Sequence, residues 1–152
     1  MFAVVSVLIV IADRITKIWI DSHMALGETR PLFGKLAQLC YIHNSGAAFS
    51  MLEGKQTLLI GLTAAVMIGI IVYVSVYKKK LPFIERFSLA LITGGGVGNL
   101  ICRVLHGYVI DFIDIHFIPV FNVADIAITI GCVLFCLCVL LPKKKYWKNT
   151  NS

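Results

Sequence analysis

Four long apolar stretches dominate the pattern of hydrophobic and polar positions along this chain. They cover residues 2–20, 57–77, 87–105 and 118–141. Each comes close to the roughly 20 residues that an α-helix needs to cross the hydrocarbon core of a bilayer. The second stretch carries no charged residue, whereas Asp13, Arg14 and Lys17 interrupt the first. The pattern predicts an all-α integral membrane protein with four transmembrane helices.

The composition agrees with this prediction. Of the 152 residues, 59% are hydrophobic and 14% are charged, and the mean hydropathy is +0.88. Soluble domains carry nearer 25% charged residues. Since the length is that of one domain, we predict a single membrane domain over residues 1–152.

The basic residues predict the orientation. Lysine clusters at residues 78–80 and 143–145 each follow an apolar stretch, and they account for much of the net charge of +6. This is the positive-inside pattern, whose partner is anionic lipid rather than nucleic acid. Both termini, including the tail at 143–152, are therefore predicted to be cytoplasmic. The loops at 21–56 and 106–117 are then outside.

The first outer loop is long for a connector, and such loops usually carry function. Residues 38–43 have a strand-like pattern, and Asn44-Ser45-Gly46 is a turn signal. We therefore expect a small extracytoplasmic sheet between helices 1 and 2. The small residues that follow Asn44 suit a surface that receives an extended peptide, although on composition alone an ordinary loop turn is the simpler interpretation.

Two aspartates lie near the outer end of the last two stretches. Asp111 is just beyond the third, and Asp125 is about two turns into the fourth. A carboxylate near hydrocarbon is costly, so an unpaired one suggests a functional site. Two that meet can share one proton and activate water. The alternatives are that Asp111 caps a helix or loop, and that Asp125 neutralises Arg103 or Lys17.

Other polar residues share helix faces with these candidates. Asn122 and Asp125 are three residues apart, so Asn122 can hold the carboxylate or act as a helix N-cap. Asp13 and Lys17, four apart, form a favourable ion pair, which either neutralises the span or contributes to binding.

A glycine-rich segment crosses the third stretch. Gly94 and Gly98 form a G-x-x-x-G pattern that lets helix backbones approach closely, and Asn99 and Arg103 follow on one face. Close packing is the simplest interpretation of the glycines. Arg103 could pair with a carboxylate or with a lipid phosphate.

A metal site is the weaker hypothesis. Asp111, Asp114 and His116 could bind a metal ion in principle, but their spacing is no zinc signature. Asp114 is more simply a solvated loop residue. We expect no metal and no other cofactor.

Together these segments resemble the lipoprotein signal peptidase (signal peptidase II) family. The segments that carry the resemblance are Asp13-Arg-Ile-Thr-Lys17, Asn44-Ser-Gly-Ala-Ala-Phe49, Gly95-Gly-Val-Gly-Asn99, Arg103, Gly107-Tyr-Val-Ile-Asp111-Phe112 and Phe121-Asn-Val-Ala-Asp125. Their occurrence in the family's order, on four predicted spans, makes the resemblance specific.

The resemblance implies an aspartic endopeptidase of the bacterial cytoplasmic membrane, with an outer β-cradle beside four helices. Its substrate would be a diacylglyceryl-modified prolipoprotein, cut just before the lipidated cysteine. It would act as a monomer, with its active site near the outer face. Asp111 and Asp125 match the catalytic pair. The positions that match supporting or substrate-binding residues are Asp13, Lys17, Asn44, Gly46, Asn99, Arg103 and Asn122.

One position departs from the family pattern. The family usually has Asn-x-x-Asp-Arg where this chain has Asn99-Leu-Ile-Cys102-Arg103. The change is expected to remove a partner of Arg103, for which Asp114 or Asp13 could compensate. The alternative function is a small transporter or channel subunit that uses Asp13, Asp111 and Asp125 as a proton or cation path.

Overall fold

The computed structural model describes residues 1–34, 36–46 and 55–140. The predicted tail at 143–152 and positions 47–49 of the loop motif lie outside them. Four helices and three strands make up this part of the chain. The helices are α1 (Phe2–His23), α2 (Gln56–Tyr77), α3 (Phe83–His106) and α4 (Val123–Leu140), and the strands are β1 (Thr29–Phe33), β2 (Ala37–Asn44) and β3 (Val109–Asp114).

The four predicted apolar stretches are helices, and the largest difference is at the start of the fourth. Helix α4 begins at Val123 rather than near residue 118. Pro119 lacks an amide hydrogen, and Phe121 pairs with Ile113 as an isolated bridge, so this segment is extended. Asp125 consequently lies in the first turn of α4, and the prediction that it lies two turns into the helix is wrong.

Helix α3 is the centre of the bundle, and its glycines bring the other helices close. A Cβ at Gly94 would lie 2.8 Å from the Ser6 carbonyl oxygen in α1, and one at Gly95 would collide with the Ala124 carbonyl in α4. The backbones could not approach this closely if side chains were present. The predicted packing role of the glycines is confirmed at these contacts.

A three-stranded antiparallel sheet in the order β1-β2-β3 covers one end of the bundle. The expectation that the sheet lies wholly between helices 1 and 2 is wrong, because β3 comes from the connection between α3 and α4. Gly107, with φ of 76°, ends α3 in the left-handed conformation. The chain then runs back along β2, where Asn44 pairs with Val109 and Ile42 with Asp111.

Apolar residues fasten this sheet to the helices. Ile20 and Met24 at the end of α1 form a buried cluster with Tyr41 of β2 and with Ile110 and Phe112 of β3. Since alternate residues of a strand face opposite sides, burial of Ile110 and Phe112 turns Asp111 the other way. This packing orients Asp111 towards the ends of α3 and α4.

Three helices in the described part of the chain, α2, α3 and α4, are long and apolar enough to cross a membrane. Helix α1 has a comparable length but carries Asp13, Arg14 and Lys17. Asp13 and Lys17 are completely buried, whereas the exposed residues of α1 are mostly apolar, including Ile11 and Ile15.

Candidate active site

A pocket of about 410 Å³ opens where the end of α3, the start of α4 and the sheet meet. Its polar lining includes five side chains that the sequence singled out, and its opposite wall is apolar. The polar five are Asn44, Asn99, Arg103, Asp111 and Asp125. The structure therefore brings together residues from four separate elements.

Asp111 lies on β3 and is only 1% exposed. The side-chain amide of Asn44 donates to its Oδ2 at 2.9 Å, and that of Asn122 donates to its Oδ1 at 2.7 Å. Burial, which disfavours the charged form, raises the pKa of Asp111 to about 6, and the two amide donors offset this only in part. Asp125 adds to the increase through charge repulsion.

Asp125 and Asn122 form a reciprocal cap at the start of α4. The backbone amide of Asp125 donates to Oδ1 of Asn122 at 3.0 Å, and the backbone amide of Asn122 donates to Oδ2 of Asp125 at 3.2 Å. Such an exchange satisfies amide groups that a helix start leaves unpaired. The other oxygen of Asp125, Oδ1, accepts from the side-chain amide of Asn99 at 2.7 Å.

Asn122 joins the two aspartates in one network. Its fully buried amide nitrogen donates to Asp111 and also to Oδ1 of Asn99, at 3.1 Å. The interpretation of Asn122 as helix cap is confirmed, whereas its side chain holds the carboxylate of Asp111 rather than that of Asp125. One buried side chain therefore sets the position of Asp111 relative to Asp125.

Lys17 determines how Asn99 is oriented. Its ammonium group donates to Oδ1 of Asn99 at 2.8 Å and to Oδ2 of Asp13 at 2.9 Å. An ammonium group has donors and no acceptor, so Asn99 must turn its oxygen towards Lys17. Its NH₂ group then faces Asp125, which must accept.

Asp13 forms the predicted ion pair with Lys17, and both side chains have no solvent exposure. The second oxygen of Asp13 accepts from the backbone amide of Ala124 at 3.1 Å, next to Asp125. Asp13 therefore neutralises Lys17 and also ties α1 to the first turn of α4. The alternative that Asp125 is the ion-pair partner of Lys17 does not match this geometry.

Arg103 and Gly46 meet at the mouth of the pocket. A terminal nitrogen of Arg103 donates to the Gly46 carbonyl at 3.2 Å, and its Nε is buried without a partner among the residues that the structure describes. The Gly46 amide donates to Oδ1 of Asn44 at 3.0 Å, so the NH₂ group of Asn44 faces Asp111. The loop after β2 is thus linked to both α3 and the carboxylate.

Cys102 does not face Arg103. It is completely buried, and Arg14 of α1 donates to its sulfur at 3.3 Å. Successive helix residues point about 100° apart, so the neighbours Cys102 and Arg103 face different partners. In this chain the hydrogen-bond partner of Cys102 is Arg14, and the expectation that an aspartate at position 102 would partner Arg103 stays a prediction.

The remaining candidates lie outside the pocket. Asp114 accepts from Gln38 and lies 3.4 Å from a ring nitrogen of His116 at the far end of β3. In the described part of the chain, no group of three or more His, Cys, Asp or Glu side chains could hold a metal ion.

The apolar side of the pocket was not predicted from the sequence. Ile118, Pro119, Val120 and Phe121 line it, together with Ile128 of α4. These positions were assigned to the fourth helix because they are apolar. Pro119, three residues before the Asn122 cap, was the available signal that they form a separate segment.

The chain is similar in sequence and in structure to known proteins. The family model described as signal peptidase (SPase) II matches residues 5–141. The lipoprotein signal peptidase of Moorella thermoacetica is 39% identical over 141 residues, covering 93% of each chain. That of Brevibacillus brevis is 43% identical over 149 residues, covering 95% of this chain and 97% of its own. A solved bacterial membrane enzyme superimposes with a TM-score of 0.87 and 30% identity over 99% of this chain and 93% of its own.

Proposed function

This chain belongs to the signal peptidase (SPase) II family, and we propose that Asp111 and Asp125 are its catalytic pair. It is a membrane aspartic peptidase. Its relatives are named lipoprotein signal peptidase, so we propose that its substrate is a diacylglyceryl-modified prolipoprotein. Cleavage just before the lipidated cysteine would leave the signal peptide in the membrane.

The observation that supports the catalytic assignment is the bridge through Asn122. Both carboxylates line one pocket; the Asn122 side chain donates to that of Asp111, and the Asn122 backbone amide donates to that of Asp125. The pKa of Asp111, which burial raises, is in keeping with a role as the proton donor of the pair. We assign to Asp125, which accepts from the Asn99 side chain and from the Asn122 backbone amide, the role of taking the proton from water.

In this mechanism a water molecule lies between the two carboxyl groups. Asp125 takes a proton from the water while the water oxygen attacks the scissile carbonyl carbon. At the same time Asp111 gives its proton to the carbonyl oxygen. The resulting gem-diol loses the amine when the C–N bond breaks. The proton held by Asp125 passes to the leaving nitrogen, and the new carboxyl group returns a proton to Asp111.

We propose that all four helices cross the membrane, with the sheet and the pocket at the outer face and both termini in the cytoplasm. In α1 the buried pair of Asp13 and Lys17 neutralises itself, so the lipid-facing surface stays apolar. The lysines at residues 78–80 follow α2 at the other end of the bundle, in agreement with the positive-inside rule. We also propose that the protein acts as a monomer.

The outer position suits the substrate. A lipidated cysteine is anchored at the membrane surface, and a peptide must leave the helical conformation there before its amide can be hydrolysed. The transporter alternative lacks support, because Asp13, Asp111 and Asp125 belong to one cluster rather than to successive depths of the membrane.

The test is cleavage of a lipidated precursor peptide by purified protein in detergent. We expect Asp111→Asn and Asp125→Asn each to abolish release of the signal fragment, because neither variant can complete the proton transfers. Asp114→Asn is the matched control, since Asp114 lies outside the pocket, and it should cleave normally. Near-normal cleavage by either of the first two variants, with the protein folded, would remove that residue from the pair.

A further inference from the structure

A second pocket lies at the opposite end of the bundle. It has a volume of about 300 Å³ and is enclosed by the first turn of α1, the last turns of α2 and the first turn of α3. Its lining includes Phe2, Ala3, Val74, Ser75, Lys78 and Arg86. Arg86 precedes Arg103 by 17 positions on α3, which corresponds to about 25 Å of helix. The two pockets are therefore at opposite faces of the protein.

The charged lining of this pocket is entirely basic. Lys78 and Arg86 contribute cationic side chains, and no acidic side chain of the described residues 1–34, 36–46 and 55–140 lines the wall. The nearest acid in sequence, Glu85, is buried and accepts instead from the hydroxyl of Tyr73 at 3.0 Å. Within the described residues, neither Lys78 nor Arg86 has a carboxylate partner within 4.0 Å. The cationic charge of the pocket is therefore not neutralised there.

Arg86 also has an unmet hydrogen-bonding requirement. Its Nε is buried and has no partner among the described residues. A buried donor without an acceptor is costly, and the guanidinium fork matches the oxygens of a phosphate. A phosphate oxygen in this pocket would supply the acceptor that the Nε of Arg86 lacks.

The remaining wall is apolar. Phe2 packs against Val74 in a cluster that includes Leu81 and Leu89. A free inorganic anion gains nothing from such a surface, whereas the glycerol and first acyl carbons of a phospholipid would cover it. The combination of an anion site with an apolar wall at the membrane surface favours a lipid over a soluble phosphate.

We propose that this pocket binds the phosphodiester headgroup of an anionic phospholipid, held by Arg86 and Lys78. The site is separate from the peptidase pocket and does not depend on the chemistry proposed there. In the orientation proposed above, the lipid belongs to the cytoplasmic leaflet.

The experiment measures lipid binding to the full chain in detergent by native mass spectrometry, with phosphatidylglycerol and phosphatidylcholine compared at equal concentration. We expect one phosphatidylglycerol to bind preferentially. Arg86→Gln and Lys78→Gln should each weaken it about fivefold, the loss of one juxtamembrane cation contact. Arg86→Lys should also weaken binding, because lysine keeps the charge but cannot replace the Nε donor.

Lys79→Gln is the matched control. Lys79 is an exposed neighbour of Lys78 that does not line the pocket, and its loss changes the net charge equally. Less than a twofold effect from Lys79→Gln supports the proposal, whereas an effect equal to that of Lys78→Gln would show diffuse charge attraction and overturn it. Displacement of the lipid by millimolar inorganic phosphate alone would also overturn it, since a free anion would then suffice. Thermal unfolding identifies any variant that fails to fold. If Arg86→Gln fails to fold, Lys78→Gln still tests the proposal.

Discussion

Lys17→Met offers a way to separate a stabilising role from a positioning role in the active site. The substitution keeps most of the length and volume of the side chain but removes the ammonium group. Asp13 would then remain buried as an unpaired carboxylate, with only the Ala124 amide as a donor. Breaking a buried ion pair in this way costs about 3 to 5 kcal/mol. We therefore expect a large loss of stability in the single variant.

The same change releases Asn99. Without an ammonium donor, nothing obliges Asn99 to keep its oxygen away from Asp125, and a flipped amide would place two acceptors face to face. A hydrogen bond to a charged group contributes about 1.5 to 3 kcal/mol, so kcat should fall by about 10- to 150-fold. KM should change little, because Asn99 positions Asp125 rather than the substrate.

The double variant Asp13→Asn/Lys17→Met distinguishes the two effects. It removes the unpaired buried charge, so most of the lost stability should return in detergent unfolding titrations. Peptide cleavage should not return, because Asn99 is still unanchored. If the double variant regained full cleavage together with stability, Lys17 would act through folding alone. A single Lys17→Met variant with unchanged kcat would equally refute the role of Lys17 in orienting Asn99.

Three further predictions concern the carboxyl pair, the helix packing and the family departure. The folded pKa of Asp111, about 6, exceeds its ordinary 3.8, so its favourable contribution to folding stability is complete below pH 3.8 and is lost as pH rises through 6. Unfolding titrations should therefore show that Asp111→Asn gains about 2 to 3 kcal/mol of stability relative to the parent between pH 4 and 7.5. The absence of such a gain would contradict the burial argument. Gly95→Ala should lower thermal stability by about 1 to 3 kcal/mol because its Cβ meets an α4 carbonyl, whereas Gly61→Ala, with open space around it, should not destabilise. Cys102→Asp should pair with Arg14 and raise the melting temperature with cleavage unchanged within about twofold, because Cys102 does not line the pocket. A tenfold rise in cleavage would show that position 102 serves the site.

Local patterns in the sequence were sufficient for the helices and for some of their contacts. A helix repeats every 3.6 residues, so apolar stretches and pairs three or four apart can be recognised without knowing the fold. Asp13 with Lys17, and Asn122 with Asp125, are such pairs, and both are present. The sequence pattern also identified the two aspartates as candidates, since a charged residue stands out beside long apolar stretches.

The contacts that assemble the pocket are of another kind. Asn44 reaches Asp111 across 67 positions, and Lys17 reaches Asn99 across 82. No periodicity relates such residues. They meet only because β3 runs back along β2 and because the glycines of α3 allow α1 to pack closely against it. The strand β3 itself was read as loop, since a short segment becomes a strand through the neighbour it pairs with.

The direction of each side chain was also decided by the tertiary structure. Cys102 and Arg103 are adjacent in sequence, yet one faces Arg14 and the other faces the Gly46 carbonyl. The sequence by itself determined which polar residues would have to be sheltered from lipid. The packing of α1 and α4 against α3 decided which partner shelters each one, because a buried polar group must take the partner that the neighbouring backbone brings within hydrogen-bonding distance.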